Sequence, residues 1–440
     1  MKIIRRTHRA ALTLIAAVFL SSTLAGTAAA LYLYGTARLR WPAIPAATVA
    51  QALTAAALAP IAPSRPAGLE RSALIFAWLS IGELSFEANS FRQIAARSPF
   101  HGQALPAATP PFQKNIGTAG TASQRLVIGW TLDTGAANLI QAMRQSPGLN
   151  VLAPKWIHLT GPAGTISNTI EPSVVQAAHA RGVKVWAVVD NGFNAALSHA
   201  VLRYQDTQSA LINRIVNLAK RDQLNGINLD FEGLSSADRW NYARFAQLLA
   251  GRLHELGMQL SIDLPPDITP GNNAGPYNHA ALAAFANYII LMGYDQHWGG
   301  DAVAGPTASL PWVTSGVADM LHTGVPASKL VLGVPFYTQD WTLGQNGNTA
   351  GSQALSLVQV HNLLAGLHLA PRWNPSLGVS YTSFTQSGVR HEIWVVDQRS
   401  LLLTLELIAQ DHLAGAATWY LGLERPSTWQ SLVQSVHSLL

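Results

Sequence analysis

The chain contains no cysteine. That excludes disulfides, thiolate metal sites and cysteine nucleophiles, so an exported form must be held together by packing alone. Charge is also sparse, with Asp, Glu, Lys and Arg making up 12% of 440 residues. Lys and Arg outnumber Asp and Glu by 28 to 23, giving a net charge of +5 and a pI near 9.5. These basic residues are scattered and form no stripe that would track a nucleic acid, although a mildly basic protein suits an anionic envelope surface. No G-x-x-x-x-G-K-[ST] or G-x-G-x-x-G run is present to cradle a nucleotide phosphate, and no H-E-x-x-H or H-x-x-x-H to hold zinc. No cofactor and no metal are expected.

Hydrophobic residues are plentiful at 49%, enough for one large domain with smaller attachments. Lys2, Arg5, Arg6 and Arg9 precede an uncharged run, residues 10–37, that includes ALTLIAAVFL and ends near LYLYG. Residues 1–37 therefore read as a signal peptide, with small residues at TAAA for cleavage, or as an uncleaved membrane anchor. Both place the remainder outside the cytoplasm. Residues 38–122 are rich in Ala and Pro and read as a linker region of no assigned function.

From residue 123 the texture changes to short apolar runs, each followed by a helix-like segment. The runs are RLVIGW, VLAPKWIHL, VKVWAVV, GINLDFE, QLSIDLP, YIILMGY, KLVLGVPFY and GAATWYL. Helices are expected in PSVVQAAHAR, DTQSALINRIVNLAKR, SADRWNYARFAQLLAGRLHELG and SLPWVTSGVADMLHTG, with Ser235 or Ser236 capping the third and Gly257 ending it. Alternating strands and helices predict an α/β fold, a (β/α)8 TIM barrel over residues 123–440, with a doubly wound open sheet as the alternative. The seventh gap is too long for one helix. It predicts a small α+β insertion at about residues 350–412, with a helix in SLVQVHNLLAGL and a hairpin between PSLGVSYTSF and HEIWVVD.

The fourth run, GINLDFEG, alternates Ile227, Leu229 and Phe231 with Asn228, Asp230 and Glu232. Period two means two faces. In a barrel the apolar face packs on the outer helices and the polar face lines the interior. Glu232 then stands highest at the C-terminal mouth, Asp230 one layer below and Asn228 deeper.

LNGINLDFEG resembles the [DN]-G-x-[DN]-x-[DN]-x-E signature of glycoside hydrolase family 18, the chitinase-like family, with Asn225, Asn228, Asp230 and Glu232 at its polar positions. LMGYDQHW resembles the family's M-x-Y-D on the sixth barrel strand, through Met292, Tyr294 and Asp295. Trp419 in ATWYLG matches the aromatic of the eighth. Envelope-associated members, such as spore-cortex lytic N-acetylglucosaminidases, are the most similar in look. The resemblance implies a retaining glycosidase acting on a β-linked N-acetylglucosamine-containing glycan, peptidoglycan or a related envelope polymer before chitin. It implies substrate-assisted catalysis, in which the sugar's 2-acetamido oxygen is the nucleophile. Glu232 is then the general acid and base, Asp230 the partner of the acetamide N–H, and Tyr294 the donor to its carbonyl. Asn228 and Asp295 support them, and Trp419 and Met292 line the sugar site. Asn191, Trp298 and Tyr337 are further substrate-binding candidates. A non-catalytic glycan-binding protein on the same barrel and a partner of an envelope glycosyltransferase are the alternatives.

Three features depart from the family pattern. Asn228 stands where an Asp is usual; its amide is able to hydrogen-bond Asp230 but not to take its proton. Asn225 is a milder Asp-to-Asn change. VVDNGF, which puts Asp190 and Asn191 at the mouth, replaces the third-strand S-x-G-G. Other residues keep two readings. Asp263 is a barrel polar group or a pocket residue, Trp130 and Trp341 are core or sugar platforms, His297 contacts sugar or packs its loop, and Asp340 is a possible substrate contact.

Overall fold

The computed structural model describes residues 125–132, 135–266 and 275–438. The expected signal or anchor and the Ala/Pro-rich linker lie outside the described residues. Among those described, no helix is long and apolar enough to cross a membrane.

Each of the eight apolar runs forms a parallel strand. In chain order these are β1 (Leu126–Thr131), β2 (Val151–Gly161), β4 (Lys184–Asp190), β5 (Gly226–Asp230), β6 (Gln259–Leu264), β7 (Tyr288–Met292), β8 (Leu330–Pro335) and β14 (Gly415–Trp419). The strand order β1-β14-β8-β7-β6-β5-β4-β2 closes on itself through a β1–β2 pairing, so the sheet is a barrel and not an open sheet. Strand β3 (Thr165–Asn168) adds a short antiparallel extension to β2.

Period two sorts the side chains into two apolar clusters. Ile227, Leu229 and Phe231 join the outer one, against the helices. Ile128, Trp130, Val151, Ala153, Trp186 and Val188 point inward with Met292 and Tyr294. At the closed end Trp186 stacks on Tyr288, ring centroids 5.7 Å apart, and fills the space beneath the glycine that opens β5.

The connecting helices are α1 (Ala136–Gln145), α2 (Pro172–His179), α3 (Ala195–Leu202), α4 (Gln205–Arg221), α5 (Arg239–His254), α6 (His279–Phe285) and α7 (Leu310–His322). Ser235 caps a 3-10 turn ahead of α5 by accepting from the Ala237 N–H at 3.2 Å, and Gly257 follows the helix with φ of 70°. Helix α5 grips the outer face of β5 through Phe231, which stacks on Tyr242 and Phe245 with centroids 6.0 and 5.9 Å away.

The insertion between the seventh and eighth barrel strands is a five-stranded antiparallel sheet with one helix. Its elements are β9 (Tyr337–Leu343), β10 (Thr349–Ser356), α8 (Leu357–Gly366), β11 (Arg372–Asn374), β12 (Val379–Gln386) and β13 (Val389–Val395). The expected hairpin is β12–β13, turning at Ser387-Gly388. The boundaries differ from those read in the sequence. The apolar run KLVLGVPFY is shared, because Tyr337 already opens the insertion's first strand. At the other end α9 (Gln398–Gln410), capped by Asp397, packs on β8, β14 and the last helix, α10 (Pro426–Ser438), as a barrel helix does.

Candidate active site

Strand register assembles the mouth of the barrel. Asp190 at the end of β4 pairs with Asp230 at the end of β5, and Asn228 pairs with Ser261 of β6. Glu232 follows two residues beyond Asp230, on the same face. In β2 a bulge between Lys155 and Ile157 interrupts the pairing with β4. There Lys155 lies 3.8 Å from Asp230 Oδ2 and 4.0 Å from Asp190 Oδ2.

These groups open into a cavity of about 710 Å³. Asp230, Glu232 and Lys155 line one side. Met292 ends β7, the sixth barrel strand, Tyr294, Asp295 and Trp298 follow it, and Trp419 ends β14, the eighth. Tyr294 and Trp419 are stacked, centroids 6.1 Å apart and planes 20° apart, and both meet the Trp130 ring edge-on. This aromatic wall suits the apolar face of a sugar ring.

Asp230 is buried, and among the described residues nothing donates to its Oδ1. Burial pushes its carboxyl up to about 6, against the opposing pull of Lys155 and the hydrogen bond from Glu232. Glu232 is driven further, to about 8, by burial and then by the charge of Asp230. Asp263 is raised as well, by burial first and Asp230 second. The site thus separates its acids, keeping Glu232 protonated over a range in which Asp230 is ionised.

Asn228 is fully buried beneath them. Its Oδ1 accepts from Trp130 Nε1 at 2.7 Å, and its Nδ2 donates to Ser261 Oγ at 3.0 Å and Asp263 Oδ1 at 2.8 Å. The amide therefore serves the β1 and β6 side chains, and the hydrogen bond it is able to offer Asp230 is not among those it makes with the described residues. Asn191 is also placed differently from expectation. It is 2% exposed and does not line the cavity. Its side chain donates to the Glu232 carbonyl at 2.7 Å and to Ser198 Oγ at 2.8 Å, and accepts from the Glu232 N–H at 3.0 Å. It holds the acid's backbone.

Tyr337 lies in an adjoining hollow with Asp295, Trp298 and Trp419, and its hydroxyl donates to Asp295 Oδ1. Of the residues with two readings, Asp263 lines the cavity, whereas Trp130 and Trp341 are buried. Trp341 donates to the Gly305 carbonyl at 2.9 Å, and Asp340 pairs with His391 across the insertion sheet at 2.9 Å. His297 stands 3.3 Å from Asp301 in its own loop. Asn225 sits at the other end of β5, accepting from the Val185 N–H at 2.7 Å.

Sequence reasoning missed Lys155, Phe193, Pro265, Pro266 and Trp312, all of which line the cavity. Lys155 carried a signal: it is the one charge in the otherwise apolar stretch VLAPKWI and falls at the inward parity of Val151 and Ala153. Phe193, 65% exposed with φ of 56°, depends on the loop after β4, whose path no periodicity encodes.

The profile described as Glycosyl hydrolases family 18 matches residues 163–424. The chain belongs to glycosyl hydrolase family 18. It is 28% identical over 261 residues to the cortical fragment-lytic enzyme of Bacillus anthracis, covering 56% of this chain and 58% of that protein's length. It is 26% identical over 266 residues to the uncharacterized glycosylase YvbX of Bacillus subtilis (strain 168), covering 57% and 74%. Among solved structures, a chitinase from Chromobacterium violaceum ATCC 12472 superposes with a TM-score of 0.65 at 24% identity, over 71% of this chain and 99% of that one. The Bacillus cereus spore cortex-lytic enzyme SleL superposes at 0.64 and 24%, over 72% and 75%. At these identities the superpositions show the fold. Within the matched region, Asp230 and Glu232 stand at the mouth of that fold, at the end of β5 and just beyond it.

Proposed function

We propose that the protein hydrolyses a β-linked N-acetylglucosamine-containing glycan with retention, the substrate's own acetamide serving as nucleophile. The observation that carries this reading is a buried Asp230 whose Oδ1 has no donor among the described residues, sharing one cavity with Glu232, whose carboxyl burial pushes up to about 8, opposite the Tyr294–Trp419 wall. Glu232 gives its proton to the departing glycosidic oxygen while the acetamide oxygen attacks the anomeric carbon. Asp230 accepts the acetamide N–H and offsets the positive charge of the cyclic intermediate, and Tyr294 orients the acetamide carbonyl. Glu232 then takes a proton from the water that opens the ring.

The preferred substrate is peptidoglycan or a related envelope polymer. Support comes from the relative named cortical fragment-lytic enzyme, and from the basic-then-apolar N-terminus, which favours action outside the cytoplasm. Wild type is expected to release the chromophore from a chromogenic chitooligosaccharide, and muropeptide fragments from purified peptidoglycan. Its kcat/KM should peak between the Asp230 and Glu232 values of about 6 and about 8, falling on either side. Glu232→Gln should lower kcat by about 10²–10⁴-fold. Tight glycan binding by both proteins with turnover by neither would replace the enzyme with a glycan-binding protein.

A further inference from the structure

We propose that Lys155 is a positioning residue for this reaction, an ammonium set between Asp190 and Asp230 that keeps Asp230 ionised beside a protonated Glu232. The inference rests on the hydrolase reading above and adds the group that makes its charge pattern tenable.

Asp230 needs a counter-charge. Asn228, the neighbour one layer down, commits both of its amide ends to Trp130, Ser261 and Asp263 and holds no exchangeable charge. Among the described residues, the other titratable groups that act on Asp230 or respond to it are acids and phenols. Asp190 faces it from β4, Glu232 from the end of β5, Asp263 from β6 and Tyr294 from β7. Tyr242 of α5 and Tyr277 ahead of α6 add two phenols. An anion buried among so many acids would take up a proton unless a cation stood close. Lys155 is that cation, with Nζ 3.8 Å from Asp230 Oδ2 and 4.0 Å from Asp190 Oδ2.

The geometry is built to hold the ammonium there. The β2 bulge sits at Lys155 itself. Asp190, its second partner, is fixed by His158 Nδ1 at 2.6 Å from Oδ2 and by the Gly192 N–H at 2.9 Å from Oδ1. His158 and Lys155 thus approach the same Asp190 oxygen, and Lys155 lies close to Asp230 as well. Because Lys155 approaches Oδ2, Asp230 keeps Oδ1 for the substrate N–H. A neutral Asp230 would accept that N–H more weakly and would do little to offset the cationic intermediate.

The test compares Lys155→Met and Lys155→Arg with wild type by two readouts. In the first, carbon-13 NMR follows the aspartate carboxyls through a pH titration, with Asp230 assigned by its loss in Asp230→Asn. The Asp230 midpoint is expected to rise by about one unit or more in Lys155→Met and to stay near wild type in Lys155→Arg. In the second, the acid limb of kcat/KM should move up by the same amount in Lys155→Met, so that activity at pH 5, taken relative to each protein's own optimum, is about tenfold lower in Lys155→Met than in wild type. A merely structural lysine would lower the whole profile without displacing the limb. An unmoved midpoint and limb in Lys155→Met would overturn the proposal. Lys155→Gln replaces the Met variant if that one does not fold. Should wild type turn over no glycan at any pH, the hydrolase reading fails, while the NMR titration still decides the role of Lys155.

Discussion

Asn191 grips the Glu232 peptide from both sides, donating to its carbonyl and accepting from its N–H, so it positions the acid through its backbone. Asn191→Ala removes both bonds and leaves Glu232 chemically intact. We expect kcat to fall about 10²-fold with little change in KM, measured in steady-state assays on a variant shown to be folded by circular dichroism. The same acid carries a stability cost. Its carboxyl is raised from an ordinary 4.5 to about 8, so between those values the folded state holds a proton that the unfolded chain has lost. Stability contributed by this group is present below pH 4.5 and is lost as pH rises toward 8. Glu232→Gln has no proton to lose, so its Tm should exceed that of wild type by a few degrees at pH 8 and match it below pH 4.5. At this scale the acids were legible because they break an apolar strand at fixed parity. The part Asn191 plays was not, since its partner is a backbone 41 positions away.

The strand that carries Asp230 is short, five residues from Gly226 to Asp230, and its bearing is set at its base. A Cβ on Gly226 would sit 2.5 Å from the Gln259 carbonyl oxygen and 2.8 Å from Trp186 Cδ1. Backbone cannot yield as a flexible side chain does, so Gly226→Ala should force β5 away from β6 and cost about 1–3 kcal/mol, read from urea unfolding. Strand and helix positions were readable because alternation and helical periodicity are local. The bulge in β2 was not, because it exists only relative to the register of β4. Nor was the switch at Tyr337, where one continuous apolar run leaves the barrel and pairs with the insertion sheet.

In the whole molecule, closure of the eight-stranded cylinder brings Trp419, near one end of the described chain, against Trp130 near the other. Strand count and order implied that closure. The depth and lining of the cavity depend on loops such as those carrying Phe193 and Trp298, whose paths are set by packing. The adjoining hollow, shared by Asp295, Tyr337 and Gln359, joins the barrel mouth to the insertion. The central claim for this architecture is that the acetamide of the bound sugar, held between Asp230 and Tyr294, performs the attack. The most direct measurement compares kcat/KM for chromogenic substrates whose 2-acetamido group carries zero, one, two or three fluorines. Each fluorine weakens the carbonyl oxygen as a nucleophile while leaving the leaving group unchanged. The account predicts a steep, progressive fall in rate across the series; a rate indifferent to fluorination would contradict it.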